Sequence, residues 1–233
     1  MEFIYILYKP AVSGNIGAAA RAIKTMGFDR LRLIDPCDHL SEEARKFAHG
    51  SVEILESAEV YNNFEDCTRD IDFLIGTTAK KRSAKEDYHP PGELLRYIQG
   101  KKDSINFTGI IFGTEESGLP NEILLKCDVA SSIPIRNPYP SLNLGQAVML
   151  YAYEFSTVEQ DNQGIQIKRK ESYSELKKRT ASLLEIIGIP ENMPLFGRIM
   201  ERLSALEDQD INLVHSVTSR IIRYIGNNTE KDD

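Results

Sequence analysis

Residues 133–154, "IPIRNPYPSLNLGQAVMLYAYE", change character halfway through. Pro134, Pro138 and Pro140 each fix their own φ, lack an N–H and push the preceding residue out of the helical region, so the first half reads as a stiff loop. From Leu144 the chain turns apolar, with Val148, Tyr151 and Phe155 near helical spacing. Ser141 or Asn143 stands where the cap of that buried helix belongs. A rigid loop that delivers Ser-Leu-Asn to the mouth of a buried helix is a candidate ligand loop.

Upstream of this segment, residues 1 to about 157 alternate β-type and helix-type runs. Strands are predicted at "FIYILY", "RLRLID", around "AEVY", "DFLIGTT", "TGIIFG" and "VASSIPI", with helices near 15–26, 41–48, 64–70, 91–99, 120–127 and 142–157. This is the pattern of an α/β fold, a mainly parallel sheet with helices on both faces. Residues 158–166 are polar and carry no period, as a linker does. Three amphipathic helices follow within 167–228, with stripes at Tyr173, Leu176, Leu183 and Ile187, then Leu195, Ile199, Leu203 and Leu206, then Ile211, Val214, Ile221 and Ile225.

A chain of 233 residues with 41% apolar content can build a real core. No run approaches a membrane span, and "MEFIYILYKP" lacks the basic start and cleavage site of a signal peptide, so a cytoplasmic protein is expected. Cys37, Cys67 and Cys127 lie far apart without pairing or a histidine cluster, which supports neither a disulfide framework nor a metal site. The net charge of −7 argues against indiscriminate nucleic-acid binding. Basic residues are nonetheless clustered, at Lys80, Lys81, Arg82 and Lys85, and at Lys168, Arg169, Lys170, Lys177, Lys178 and Arg179.

Open α/β sheets bind ligands beyond the carboxyl ends of their strands, which directs attention to four loops. "GNIGAAARAIKTMG", 14–27, opens a helix with a core stripe of Ile16, Ala19, Ile23 and Met26, and Arg21 falls on the far side with Ala18 and Thr25. Its small alanines would admit a second subunit or an RNA strand, and its guanidinium suits phosphate or carboxylate. "FGTEESGLP", 112–120, sets Glu115 between Gly113 and Gly118 at the end of an apolar strand. Thr77 and Thr78 close another strand and offer backbone and hydroxyl groups to an adenine or ribose. The fourth loop is the proline-rich one. A competing reading takes Gly14, Gly17 and Asp35 as a degenerate NAD fingerprint, which would make the protein an oxidoreductase.

"NIGAAARAIKTMGF", "FGTEESGLPNEIL" and "IPIRNPYPSLNLGQAVMLYAYE", in this order, resemble the signature motifs of the SPOUT superfamily, in particular the TrmH/TrmJ/LasT group of RNA ribose 2′-O-methyltransferases. The tail "YSELKKRTASLLEIIGIPEN" and the helices after it are similar to the C-terminal extension of the TrmJ type. The resemblance implies a SPOUT-type sheet with a C-terminal trefoil knot in residues 1–157, a small RNA-binding helical extension in 167–228, and a homodimer. It implies S-adenosylmethionine as cofactor, bound by Thr77, Thr78, Ala79, Gly113, Ile133, Pro140, Ser141 and Leu142. Asn15, Arg21, Glu115, Ser141 and Asn143 take the family's catalytic positions. The RNA-binding set is then Lys80, Lys81, Arg82, Lys168, Arg169, Lys170, Lys177 and Lys178. The activity implied is methylation of a ribose 2′-hydroxyl, with an anticodon-loop pyrimidine of tRNA ahead of rRNA. A guanidinium is a poor base, so Arg21 is expected to hold phosphate and stabilise the developing alkoxide, the proton passing to a phosphate oxygen, water or Glu115.

Overall fold

The computed structural model describes residues 1–101, 103–137, 141–158 and 172–229. The described residues form two compact units, one within 1–95 and 107–158 and one within 96–106 and 172–229.

The first unit is built on a seven-stranded sheet in the order β3-β2-β1-β6-β4-β7-β5, every described pairing parallel. Its strands are β1 (Glu2–Tyr8), β2 (Leu31–Ile34), β3 (Glu59–Tyr61), β4 (Phe73–Thr77), β5 (Tyr88–His89), β6 (Phe107–Phe112) and β7 (Val129–Ser131). The central strands are buried as continuous apolar runs, as a sheet covered on both faces requires. β6 lies between β1 and β4, with Ile6 opposite Ile111 on one side and Ile75 opposite Ile110 on the other. The sequence pattern announces every strand but β5, whose two residues precede two prolines and carry no period of their own.

The helices are α1 (Ser13–Thr25), α2 (Glu42–Ala48), α3 (Val52–Glu56), α4 (Phe64–Thr68), α5 (Pro91–Gln99), α6 (Asn121–Lys126) and α7 (Leu144–Phe155). α1 packs against both α2 and α7. A Cβ at Gly17 would stand 2.2 Å from the Ala44 carbonyl oxygen on α2, and one at Gly145 of α7 would stand 2.7 Å from the Ala18 methyl. The alanines of α1 therefore serve the chain's own packing: Ala19, Ala20 and Ala22 are buried while Arg21 is exposed. The NAD reading loses its footing here. Gly17 is a helix-contact residue, Gly14 faces Glu43 and Phe47, and Asp35 is paired with Lys9 at 3.1 Å.

The second unit contains α8 (Tyr173–Ile186), α9 (Pro194–Leu203) and α10 (Asp208–Thr229). It draws in the end of α5 and the turn after it: the Tyr173 N–H donates to Ser104 O at 3.2 Å and the Asp208 N–H to Gly100 O at 2.8 Å. Tyr173, Leu176, Phe196, Leu203 and Ile211 form its apolar interior. Among the described residues no helix is long and apolar enough to cross a membrane.

Gly17→Ala presses a methyl group onto backbone that cannot rotate away. It is expected to destabilise the protein by about 3 kcal/mol, the upper end of overpacking costs, read as a lowered urea midpoint with an unchanged m-value.

Candidate active site

At the carboxyl ends of β4, β6 and β7 lies a cavity of about 330 Å³. Its walls come from three loops, 77–82 after β4, 113–118 after β6, and the residues leading into α7. Phe112 and the buried Tyr151 also line it, their rings edge to face at 5.4 Å. Tyr151 is fixed by its hydroxyl, which donates to Ser131 Oγ at 2.7 Å, while burial pushes its pKa far up.

The threonines contribute shape rather than free hydroxyls. Thr77 Oγ1 donates to Ile111 O at 2.9 Å, tying β4 to β6, and Thr78 Oγ1 donates to Lys80 O at 2.8 Å, turning the chain out of the strand. At Gly113 a Cβ would fall 2.0 Å from the Gly118 carbonyl carbon, so only glycine lets the strand pass this close to the returning loop. Thr114 and Gly118 close that loop by two backbone hydrogen bonds and present Glu115 at its tip.

Glu115 anchors a chain of hydrogen bonds across three loops. Its carboxylate accepts from the N–H groups of Ala11 at 3.1 Å and Val12 at 3.3 Å and from Asn15 Nδ2 at 2.9 Å. Asn15 Oδ1 in turn accepts from Asn143 Nδ2 at 2.8 Å. Asn143 caps α7, its Oδ1 accepting from the Gly145 N–H at 2.8 Å while its own N–H donates to Gln146 Oε1 at 3.1 Å. Partial burial pushes the Glu115 pKa up, but the donors from Asn15, Ala11 and Val12 outweigh it and hold the carboxyl below the usual glutamate range. Glu115 is thus a fixed acceptor and a weak base.

Asn143 stands at a boundary. Its neighbours Ser141, Leu142 and Leu144 line the cavity, whereas Asn143 lines an adjoining groove of about 470 Å³ together with Arg21, Gln146 and Met149. Of the sequence-predicted residues, Thr77, Thr78, Ala79, Gly113, Glu115, Ile133, Ser141 and Leu142 meet in the cavity, and Lys80 and Arg82, expected at the RNA surface, line it too. Asn15 joins through Glu115, and Arg21 joins through the groove of Asn143. Pro140, Lys168, Arg169 and Lys170 lie outside the described residues.

The cationic residues divide by environment. Lys80, Lys81 and Lys178 are exposed, and Lys177 has its ammonium 5.0 Å from the centre of the Tyr173 ring. The Arg82 guanidinium is engaged with the protein's own backbone, and Arg179 is engaged with His215 Nδ1 at 3.0 Å and Ser219 Oγ at 2.7 Å. The sequence reading left out Phe112, Ala147 and Tyr151 as lining residues because a helix or strand residue facing a cavity has the same apolar periodicity as one facing a core.

A parallel α/β sheet carrying a three-loop cavity at its carboxyl edge, with an asparagine pair beside it, defines a small-molecule-binding enzyme domain. Residues 2–153 match the SpoU rRNA Methylase family, and residues 170–225 match the C-terminal domain described as "tRNA/rRNA methyltransferase LasT". The chain belongs to the SpoU methylase family. It is 36% identical over 226 residues to the uncharacterized tRNA/rRNA methyltransferase LasT of Escherichia coli K12, covering 97% of this chain and 99% of that one. It is 37% identical over 176 residues to the tRNA (cytidine-2′-O-)-methyltransferase TrmJ of Methanocaldococcus jannaschii, covering 74% of this chain and 75% of that one. The crystal structure of TrmJ from Z. mobilis ZM4 superposes with a TM-score of 0.68 at 25% identity, covering 95% of this chain and 99% of that one.

A carboxyl whose folded pKa is depressed contributes stability above its ordinary value of 4.5 and loses it as pH falls through the lower folded value. Glu115→Gln is therefore expected to lower the urea midpoint at pH 7, and the gap from wild type is expected to narrow below about pH 4.

Proposed function

We propose that this protein transfers the methyl group of S-adenosylmethionine to a ribose 2′-hydroxyl of RNA, with tRNA, as in the TrmJ relatives, ahead of rRNA. The observation that carries the reading is the position of Asn143, between a cavity of cofactor size and an open groove lined by Arg21. The cavity fits the cofactor: its volume falls within the usual range for small-molecule sites, Ile133, Leu142 and Ala147 offer apolar faces to an adenine, and Gly113 lines the same cavity. Backbone groups of Thr77, Thr78, Ala79, Ile133, Ser141 and Leu142, together with Pro140, would hold it.

When bound, S-adenosylmethionine supplies an electrophilic methyl on a sulfonium. The protein's part is to align the acceptor hydroxyl and to stabilise the oxygen as its proton departs. Asn15 and Asn143 each commit one amide hydrogen to the chain from Glu115, which leaves the other to orient the ribose. Arg21 holds the neighbouring phosphate and stabilises the developing alkoxide. Glu115, locked by three donors with its pKa depressed, orients Asn15, and the proton passes to water or a phosphate oxygen. Ser141, which lines the cavity, is the residue proposed to meet the acceptor sugar.

The methyltransferase domain is taken as 1–157, the linker as 158–166 and the RNA-binding extension as 167–228, in a cytoplasmic homodimer whose α/β domain carries a trefoil knot. Return of the chain from β7, beyond β4, to seat α7 against α1 supports the knot. Exposed Phe47 and Leu150, which line the Arg21 groove, and exposed Tyr153 on α7 support the dimer, since a partner would cover them.

Labelled-methyl incorporation into tRNA, paired with titration of S-adenosylmethionine and NAD, tests the reading. Wild-type protein is expected to bind the methyl donor and label ribose, and Arg21→Ala to bind the donor normally while losing roughly 100-fold in kcat. Nicotinamide binding or unlabelled RNA would overturn it.

The RNA surface is tested by substitution rather than truncation, because the tail packs with residues 96–106. Lys80→Glu with Lys81→Glu, and separately Lys177→Glu with Lys178→Glu, are expected to weaken RNA binding. Each pair should reduce the slope of log K against log salt by about 1 for every phosphate it ceases to neutralise, and the Lys177/Lys178 pair, whose residues do not line the cavity, should leave cofactor affinity unchanged.

A further inference from the structure

Arg82 stands in a run of basic residues, yet its head does not face outward alone. Nη2 donates to Ser117 O at 2.6 Å, and Nη1 donates to Leu119 O at 2.7 Å with a longer contact to Asn121 Oδ1 at 3.4 Å. Those carbonyls flank Gly118, which holds a left-handed φ of 72° at the closing end of the loop that carries Glu115. The guanidinium thus ties one wall of the cavity, the loop that follows β4, to another, the loop that follows β6.

The arginine is itself braced from behind. The Tyr88 hydroxyl accepts from the Arg82 N–H at 2.9 Å and donates to Arg82 O at 2.8 Å, closing residues 82–88 into a loop. Lys85 Nζ donates to Cys127 O at 2.8 Å and pins the same loop to the end of α6. A fork of parallel N–H donors on two carbonyls is a geometry that lysine's compact ammonium cannot reproduce.

We infer that Arg82 is a positioning residue of the methyl-donor cavity, clamping the 114–118 loop so that Glu115 stays in register with Asn15, rather than a contact to RNA phosphate. This rests on the proposed function for the identity of the ligand, but not for the clamp. The basic run divides into Lys80 and Lys81, exposed to solvent, and Arg82 and Lys85, which hold the wall those lysines stand on.

Hydrogen exchange of ligand-free protein and calorimetric titration with S-adenosylmethionine test it together. In Arg82→Ala the amides of Thr114 and Gly118 are expected to exchange at least 10-fold faster while those of β1 stay slow, which shows the fold intact. Cofactor Kd is expected to rise roughly 10- to 100-fold, the loss of two charge-assisted hydrogen bonds, with Arg82→Lys recovering part of it. At saturating cofactor the salt slope of RNA binding is expected to match wild type. Unchanged loop exchange and cofactor affinity, with a salt slope reduced by about 1, would overturn the inference and make Arg82 a phosphate contact. If wild-type protein itself fails to bind S-adenosylmethionine, the proposed function fails, and the loop exchange still decides the clamp.

Discussion

The hydrogen-bond chain from Glu115 through Asn15 to Asn143 is the constraint on which the site depends. Its members are 100 and 128 residues apart in sequence and lie on the loop after β6, the first turn of α1 and the cap of α7. An uncharged chain at this place would hold less firmly: a carboxylate with three donors is a strong acceptor, and it fixes which way the Asn15 amide points. That orientation presents Oδ1 to Asn143, whose own carbonyl then caps α7. The cap of α7 and the amide that bonds Asn15 are one residue, so the start of α7 and the edge of the cavity are set together.

This arrangement gives a reason for the prolines that the sequence places before α7. Asn143 can serve two neighbours only if its backbone arrives at one angle, and the approach through Ile133 and Ile135 brings the chain along the cavity wall. It also explains the small residues of α1. A helix whose first turn must reach Glu115 while its body lies between α2 and α7 has no room for side chains at Gly17 or beside Gly145. A larger helix surface would push Asn15 away from its partners.

Much of this is legible in the sequence because it rests on local signals. Periodicity marks α1, α7 and the tail helices, continuous apolar runs mark β1, β4 and β6, and Ser41 caps α2 through the Ala44 N–H at 3.2 Å as its position suggests. The cluster of Thr77, Gly113, Glu115 and Ser141 in one cavity follows from strand ends sharing an edge. What composition cannot express is which partner a group finds. Arg82 and Lys81 are adjacent and both cationic, yet one meets backbone carbonyls from 117 and 119 and the other meets solvent. The alanines of α1 look like an open docking face until α7, more than 100 residues away, is seen against them. Glu115 reads as a candidate base until its three donors are counted.

The cavity proposed for the methyl donor and the groove proposed for the acceptor adjoin at Asn143. A crystal structure with S-adenosylhomocysteine bound measures this directly. The account predicts the adenosine between the 77–79 and 133–142 loops, with the sulfur directed toward Asn143 and the Arg21 groove. Density at Gly14, Gly17 and Asp35, or a sulfur pointing away from Asn143, would contradict it.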